Sequence, residues 1–131
     1  MRDMMFLSRP SEKATQADKQ VITDLVDTLN AHLDGCVGMA ANMIGVHKRI
    51  IVVRMGPISM PMVNPEIVMK SGEYEAEEGC LSLMGVRKCK RFKTIEVSYL
   101  DASFLQRRQK YTGWIAQIIQ HEIDHCNGVI I

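Results

Sequence analysis

At 131 residues the chain has room for one domain with a substantial core but not for two ordinary ones, so a single domain over 1–131 is expected. Apolar residues make up 47% and charged residues 24%, with a formal net charge of +1, a balance that gives no reason to expect nucleic acid or an anionic membrane as partner. No apolar run approaches the roughly 20 residues that span a bilayer, and the opening MRDMMFLSRPSEKATQ has too short an apolar segment for a secretory signal; the expectation is a soluble, cytoplasmic protein.

In chain order, Val21, Ile22, Leu25, Val26, Leu29 and Leu33 recur at helical spacing, which predicts a helix over about Thr15–Leu33. Thr15 with Asp18 forms an N-cap pair, and Gly35 suits the exit. KRIIVVRM (48–55) is a β-branched run that reads as a buried strand, broken by Gly56-Pro57. A second strand is expected at Ile67–Lys70, ending in a turn at Ser71-Gly72. TIEVSYLD (94–101) sets Ile95, Val97 and Tyr99 against Thr94, Glu96 and Ser98, the alternation of a half-buried strand. LQRRQKYT (105–112) reads as its hairpin partner. A last helix is expected from Gly113 to Cys126, apolar through Trp114, Ile115, Ile118, Ile119 and Ile123 and closed by Asn127-Gly128. Strands followed by a buried helix give an α+β class.

The last helix contains QHEIDH (120–125). Residues four apart on a helix are separated by about 6 Å along the axis and about 40° around it, so His121 and His125 share a face and can converge on one ion. Glu122, beside the first of them, leans over the same site without having to bind. That is the logic of the H-E-x-x-H metallohydrolases. Two histidines usually need a third ligand, and only Cys126 and the residues 127–131 follow; a zinc peptidase with its third ligand downstream is therefore disfavoured. Upstream candidates are Cys80, in EEGCLS, then Cys36 in a glycine-containing loop. His32 and His47 read more simply as surface residues. Cys89 lies in the cationic RKCKR, which would lower its pKa but reads first as a solvated segment, and Cys126 sits one residue off the ligand face. Without a sign of secretion, the four cysteines are not read as a disulfide framework.

Three segments together resemble peptide deformylases: GMAANMIG (38–45), EGCLS (78–82) and QHEIDH (120–125), in that order. The resemblance implies antiparallel β-sheets around the C-terminal motif helix. It implies that Cys80, His121 and His125 bind one divalent metal, commonly Fe(II), with zinc, nickel or cobalt as alternatives. The implied reaction removes the formyl group from N-formyl-Met peptides or nascent chains at the ribosome. Glu122 would move the proton, and the backbone N–H of Leu81 would hold the oxyanion. An extended substrate would pair with Val37, Gly38 and Gly79 by strand addition, and Met43 would be a further substrate contact.

One departure stands out. The family's first motif usually reads G-x-G-L-A-A-x-Q; aligned on Gly38, this chain has Cys36 at the first glycine and Met43 at the glutamine, whose amide contacts the reacting group. Loss of one such donor costs about 10²–10³ in rate. Asn42 could replace the amide, although in a strand its side chain would point to the opposite face from that of Met43. Otherwise the enzyme is slow, or the chain is a deformylase-like paralogue that binds metal and a peptide with weak or no turnover. With ten methionines in the chain, Met43 also has a plain reading as an adaptable packing residue.

Overall fold

The computed structural model describes residues 10–32, 36–79 and 86–128. A short 3₁₀ turn, Gln16–Asp18, leads into helix α1 (Lys19–Asn30). Strand β1 (Gly38–Ala40) runs into a second 3₁₀ turn, Ala41–Ile44, followed by β2 (Ile50–Met55), β3 (Ile58–Gly79), β4 (Val86–Leu100), β5 (Gln106–Thr112) and helix α2 (Gly113–Cys126). The strands form one five-stranded sheet in the order β1-β2-β3-β4-β5, with every neighbouring pair antiparallel. The architecture is α+β, with one helix on each face of the sheet.

The reason lies in β2. Side chains of a strand alternate between faces, and the run from Ile50 to Val53 is apolar on both. Ile51 and Val53 join Ala40, Met62, Ile95 and Val97 against Ile118, Ile119 and Ile123 of α2. Ile50 and Val52 join Met39 and Val63 against Ile22, Leu25 and Leu29 of α1. Each such side chain contributes on the order of 1.5–3 kcal/mol on burial, so both helices are bound to the sheet through a shared central strand.

Most of the expected elements are found, but the strand expected at Ile67–Lys70 already begins at Ile58, and there are three further differences. At the start of α1 the Asp18 carboxylate accepts the Thr15 N–H at 2.8 Å, and Gly56-Pro57 forms the two-residue connection between Met55 and Ile58. The first difference is that the chain does not turn at Ser71-Gly72: β3 runs on, with Ser71 opposite Thr94 and Glu73 opposite Phe92. Gly72 takes φ 75°, a left-handed conformation open to glycine, and the ladder continues on both sides of it. Second, β4 begins at Val86 rather than Thr94, because cross-strand pairing with β3 holds RKCKR in the sheet. Third, helix α1 is shorter than expected, and the 3₁₀ turn takes up its first residues. Leu33 and Gly35 lie outside the described residues.

The β4–β5 hairpin is fastened at Asp101, whose carboxylate accepts the N–H groups of Leu105 and Ser103 and the Arg107 guanidinium. The Leu105 N–H first, then Arg107, hold this carboxyl below its ordinary range. Among the described residues no helix is long and apolar enough to cross a membrane.

Candidate active site

Helix α2 carries the site and is anchored at both ends of QHEIDH. Pairing of β5 with β4 stops at Thr112 opposite Thr94, so β5 does not reach Phe92. Gln120 takes over there: its Oε1 accepts the Phe92 N–H at 2.8 Å and its Nε2 donates to the Phe92 carbonyl at 2.9 Å. A buried peptide group needs both bonds, and one side-chain amide supplies them. At the other end, Asn42 Nδ2 donates to the His125 carbonyl at 2.9 Å.

Between these anchors, His121 and His125 are buried, with ring centroids 4.9 Å apart and planes at 71°. Their Nε2 atoms lie 3.2 Å apart. Two nitrogens bound at about 2.0–2.1 Å to one tetrahedral ion would stand about 3.3 Å apart, so the pair fits a shared first-row metal. His121 Nδ1 lies 2.7 Å from Glu78 Oε1. An ionised carboxylate only accepts, which assigns the proton to Nδ1 and turns the Nε2 lone pair to the site. Ligand atoms of His121, Glu122 and His125 fall within 4.8 Å of one another.

Glu78 is itself held. Arg91 Nε donates to Oε2 at 2.9 Å and Nη2 to Oε1 at 2.6 Å, while Nη1 reaches Asp124 Oδ2 at 2.7 Å. Burial works against a charge on Glu78, but hydrogen bonds from His121 and Arg91 outweigh it and hold the carboxyl well below the usual carboxylate range. The result is a largely buried polar chain, Asp124–Arg91–Glu78–His121, that orients one imidazole. Gly38 of β1 closes the other side: a Cβ there would stand 2.8 Å from Ile118 Cγ2 and 3.0 Å from Glu122 Oε2. Only glycine lets the strand approach Glu122 this closely.

The remaining expected site residues are distributed as follows. Cys80 and Leu81 lie outside the described residues; Gly79 ends β3 next to them, and Glu78, two positions before Cys80, touches His121. Val37 is exposed, and its carbonyl accepts the Arg54 N–H at 2.8 Å. Met43, expected as a substrate contact, is buried in the same core cluster as Ala14, Leu25, Leu29 and Val52 on the α1 side of the sheet. The strand argument about Asn42 does not apply, because 41–44 is a 3₁₀ turn; the Asn42 amide donates to the His125 carbonyl instead.

Among the thiols, Cys36 donates to the Gly38 carbonyl at 2.9 Å. Cys89 reverses the expectation from its cationic neighbours: burial pushes its thiol up to about 11, and Arg91 only partly offsets this. Burial likewise pushes Cys126 up to about 12. Neither is poised to ionise near neutral pH. Sequence reasoning missed Arg91, Asp124 and the anchoring roles of Gln120 and Asn42. One signal for Arg91 was present: it falls in phase with Ile95, Val97 and Tyr99 on the inward face of β4.

An α+β fold that buries a His-Glu-His group on one helix, with a carboxylate orienting the first imidazole, defines a metal-dependent hydrolase class of site. Comparison with known proteins narrows the class. The family model for polypeptide deformylase matches residues 4–131. The chain is 56% identical over 131 residues to a peptide deformylase of Clostridium beijerinckii, covering 100% of this chain and 96% of the relative. It superposes with TM-score 0.85 at 32% identity on the crystal structure of peptide deformylase from Thermotoga maritima, covering 95% of this chain and 87% of that one. It also superposes with TM-score 0.86 at 32% identity on the enzyme from Vibrio parahaemolyticus bacteriophage VP16T in complex with actinonin, covering 96% and 93%. The chain belongs to the peptide deformylase family. Membership in this family implies a divalent metal ion, with which the paired Nε2 atoms agree.

Proposed function

We propose that this protein hydrolyses the N-formyl group of N-formylmethionyl peptides, releasing formate and a free amine. The observation that carries the reading is the convergence of His121 and His125, with Glu122 beside them and Glu78 fixing the first ring. His121 and His125, with Cys80, would hold the metal. Bound there with an open position, a divalent ion would supply Lewis-acid chemistry and bring the pKa of a water towards about 7. Glu122 accepts the proton released as the formyl carbon is attacked and delivers it to the leaving amine. The Leu81 N–H donates to the oxygen that gains charge. β1 is an edge strand, paired only with β2 among the described residues, which supports a reading in which Val37, Gly38 and Gly79 receive an extended peptide by strand addition. Fe(II) is the native metal in this reading, with zinc, nickel or cobalt as substitutes. The protein works as one cytoplasmic domain on nascent chains leaving the ribosome.

The paralogue reading, binding without turnover, is less well supported, since a relative at 56% identity carries the name peptide deformylase. The deciding assay is formate release from a formyl-Met peptide by anaerobically Fe(II)-loaded protein, repeated with nickel, cobalt and zinc. Release no greater than that of Glu122→Ala would sink the proposal.

Met43 gives a separate expectation. Because it packs in the α1-side core, Met43→Gln buries an amide in apolar surroundings, at a cost of about 1–3 kcal/mol. We expect a lower melting temperature and no gain in rate. A rise of about 10²-fold, the worth of a restored donor, would instead place residue 43 at the reacting group.

A further inference from the structure

A helix leaves its last four carbonyls without intrahelical partners, and α2 carries His125 in its last turn. Two of those carbonyls, of His125 and Cys126, are met by a collar from three distant segments. The Ser11 N–H donates to the Cys126 carbonyl at 2.7 Å. Arg49 Nη1 reaches the same carbonyl at 3.4 Å and Asn127 Oδ1 at 2.8 Å. Asn42 Nδ2 takes the His125 carbonyl at 2.9 Å, which also accepts the Gly128 N–H at 3.0 Å.

Asn42 is the telling member. It is fully buried, and its Oδ1 has no hydrogen-bond partner among the described residues. An apolar side chain of the same shape would fill this space without stranding an acceptor, so packing alone does not account for an amide here. The bond it makes joins the turn after β1, whose Gly38 abuts Glu122, to the residue that carries the second imidazole. His121 is fixed through its ring by Glu78; His125 receives this additional hold through its backbone.

We propose that Asn42 is a positioning residue for the metal centre: its amide pins the last turn of α2 and sets His125 relative to His121 and to the β1 edge. This rests on the reading of His125 as a metal ligand. The test uses the full chain, with Co(II) as probe, chelator competition for affinity and the visible Co(II) bands for geometry. Asn64→Gly is the control. Asn64 is a comparable amide clamp, bonded to both the N–H and the carbonyl of Ala14 at 2.7 and 3.0 Å, and its φ of 50° suits glycine.

Asn42→Ala is expected to weaken Co(II) binding about tenfold or more and to shift the bands, in the range seen when supports of metal ligands are removed. Asn64→Gly should lower the melting temperature and leave affinity and bands unchanged. Affinity for Asn42→Ala within about twofold of wild type, far below that range, with unaltered bands, overturns the inference. Should Asn42→Ala fail to fold, Asn42→Ser, whose hydroxyl is too short for the same bond, is judged by the same criteria. A wild-type chain that takes up no Co(II) would overturn the site reading itself, and the inference with it.

Discussion

Glu122→Gln is expected to lower kcat on a formyl-Met peptide by about 10²–10⁴-fold, the usual worth of a general acid–base group, with metal content unchanged. The substitution keeps shape and volume at a position that is buried and bordered by the Gly38 backbone. It removes the negative charge and with it the capacity to take up and return a proton. Because Glu122 is placed to act on the reacting atoms and not on the peptide chain, KM should change little. Steady-state kinetics with metal analysis of the same sample check this. A Glu122→Gln enzyme with wild-type kcat would remove Glu122 from the proton path.

Glu78→Ala should be costly in two ways. Arg91 is buried and would keep Asp124, whose side chain is 28% exposed, as its one carboxylate partner among the described residues. Breaking a buried ion pair by removing one partner costs about 3–5 kcal/mol, read as a shift in the urea midpoint at constant slope. The same change frees His121 Nδ1 from its acceptor, and loss of such a support lowers metal affinity about 10–100-fold. A double substitution separates the effects. Glu78→Leu with Arg91→Leu removes both charges and should recover much of the stability, while metal affinity stays low because His121 still lacks its carboxylate. Wild-type affinity in the double variant would show that Glu78 serves stability alone.

The parts of the site that sequence reasoning reached are those encoded locally. The span of α2 follows from helical periodicity and from Asn127-Gly128, and QHEIDH announces the convergence of its two histidines through helix geometry alone. The α1 helix, the Gly56-Pro57 turn and the return of β5 on β4 are likewise short-range patterns. What was missed depends on residues far apart in the chain. β3 continues through Ser71-Gly72 because β4 pairs with it on both sides of the glycine. Arg91 looked like one cation in a solvated run, and its role appears only once Glu78 and Asp124 are brought to it. Met43 and Asn42 are adjacent, and a strand would have pointed them to opposite faces, with Asn42 turned away from the side of Met43. The 3₁₀ turn reassigns both, sending Met43 into the α1-side core and the Asn42 amide to the end of α2.

The most direct test of the central claim is deformylation in ¹⁸O-labelled water. The Fe(II)-loaded protein is mixed anaerobically with a formyl-Met peptide, and formate and peptide are weighed by mass spectrometry. Hydrolysis at this site predicts equal amounts of formate and free-amine peptide, with one solvent oxygen in each formate and none in the peptide. Absence of formate, or formate without solvent oxygen, would contradict it.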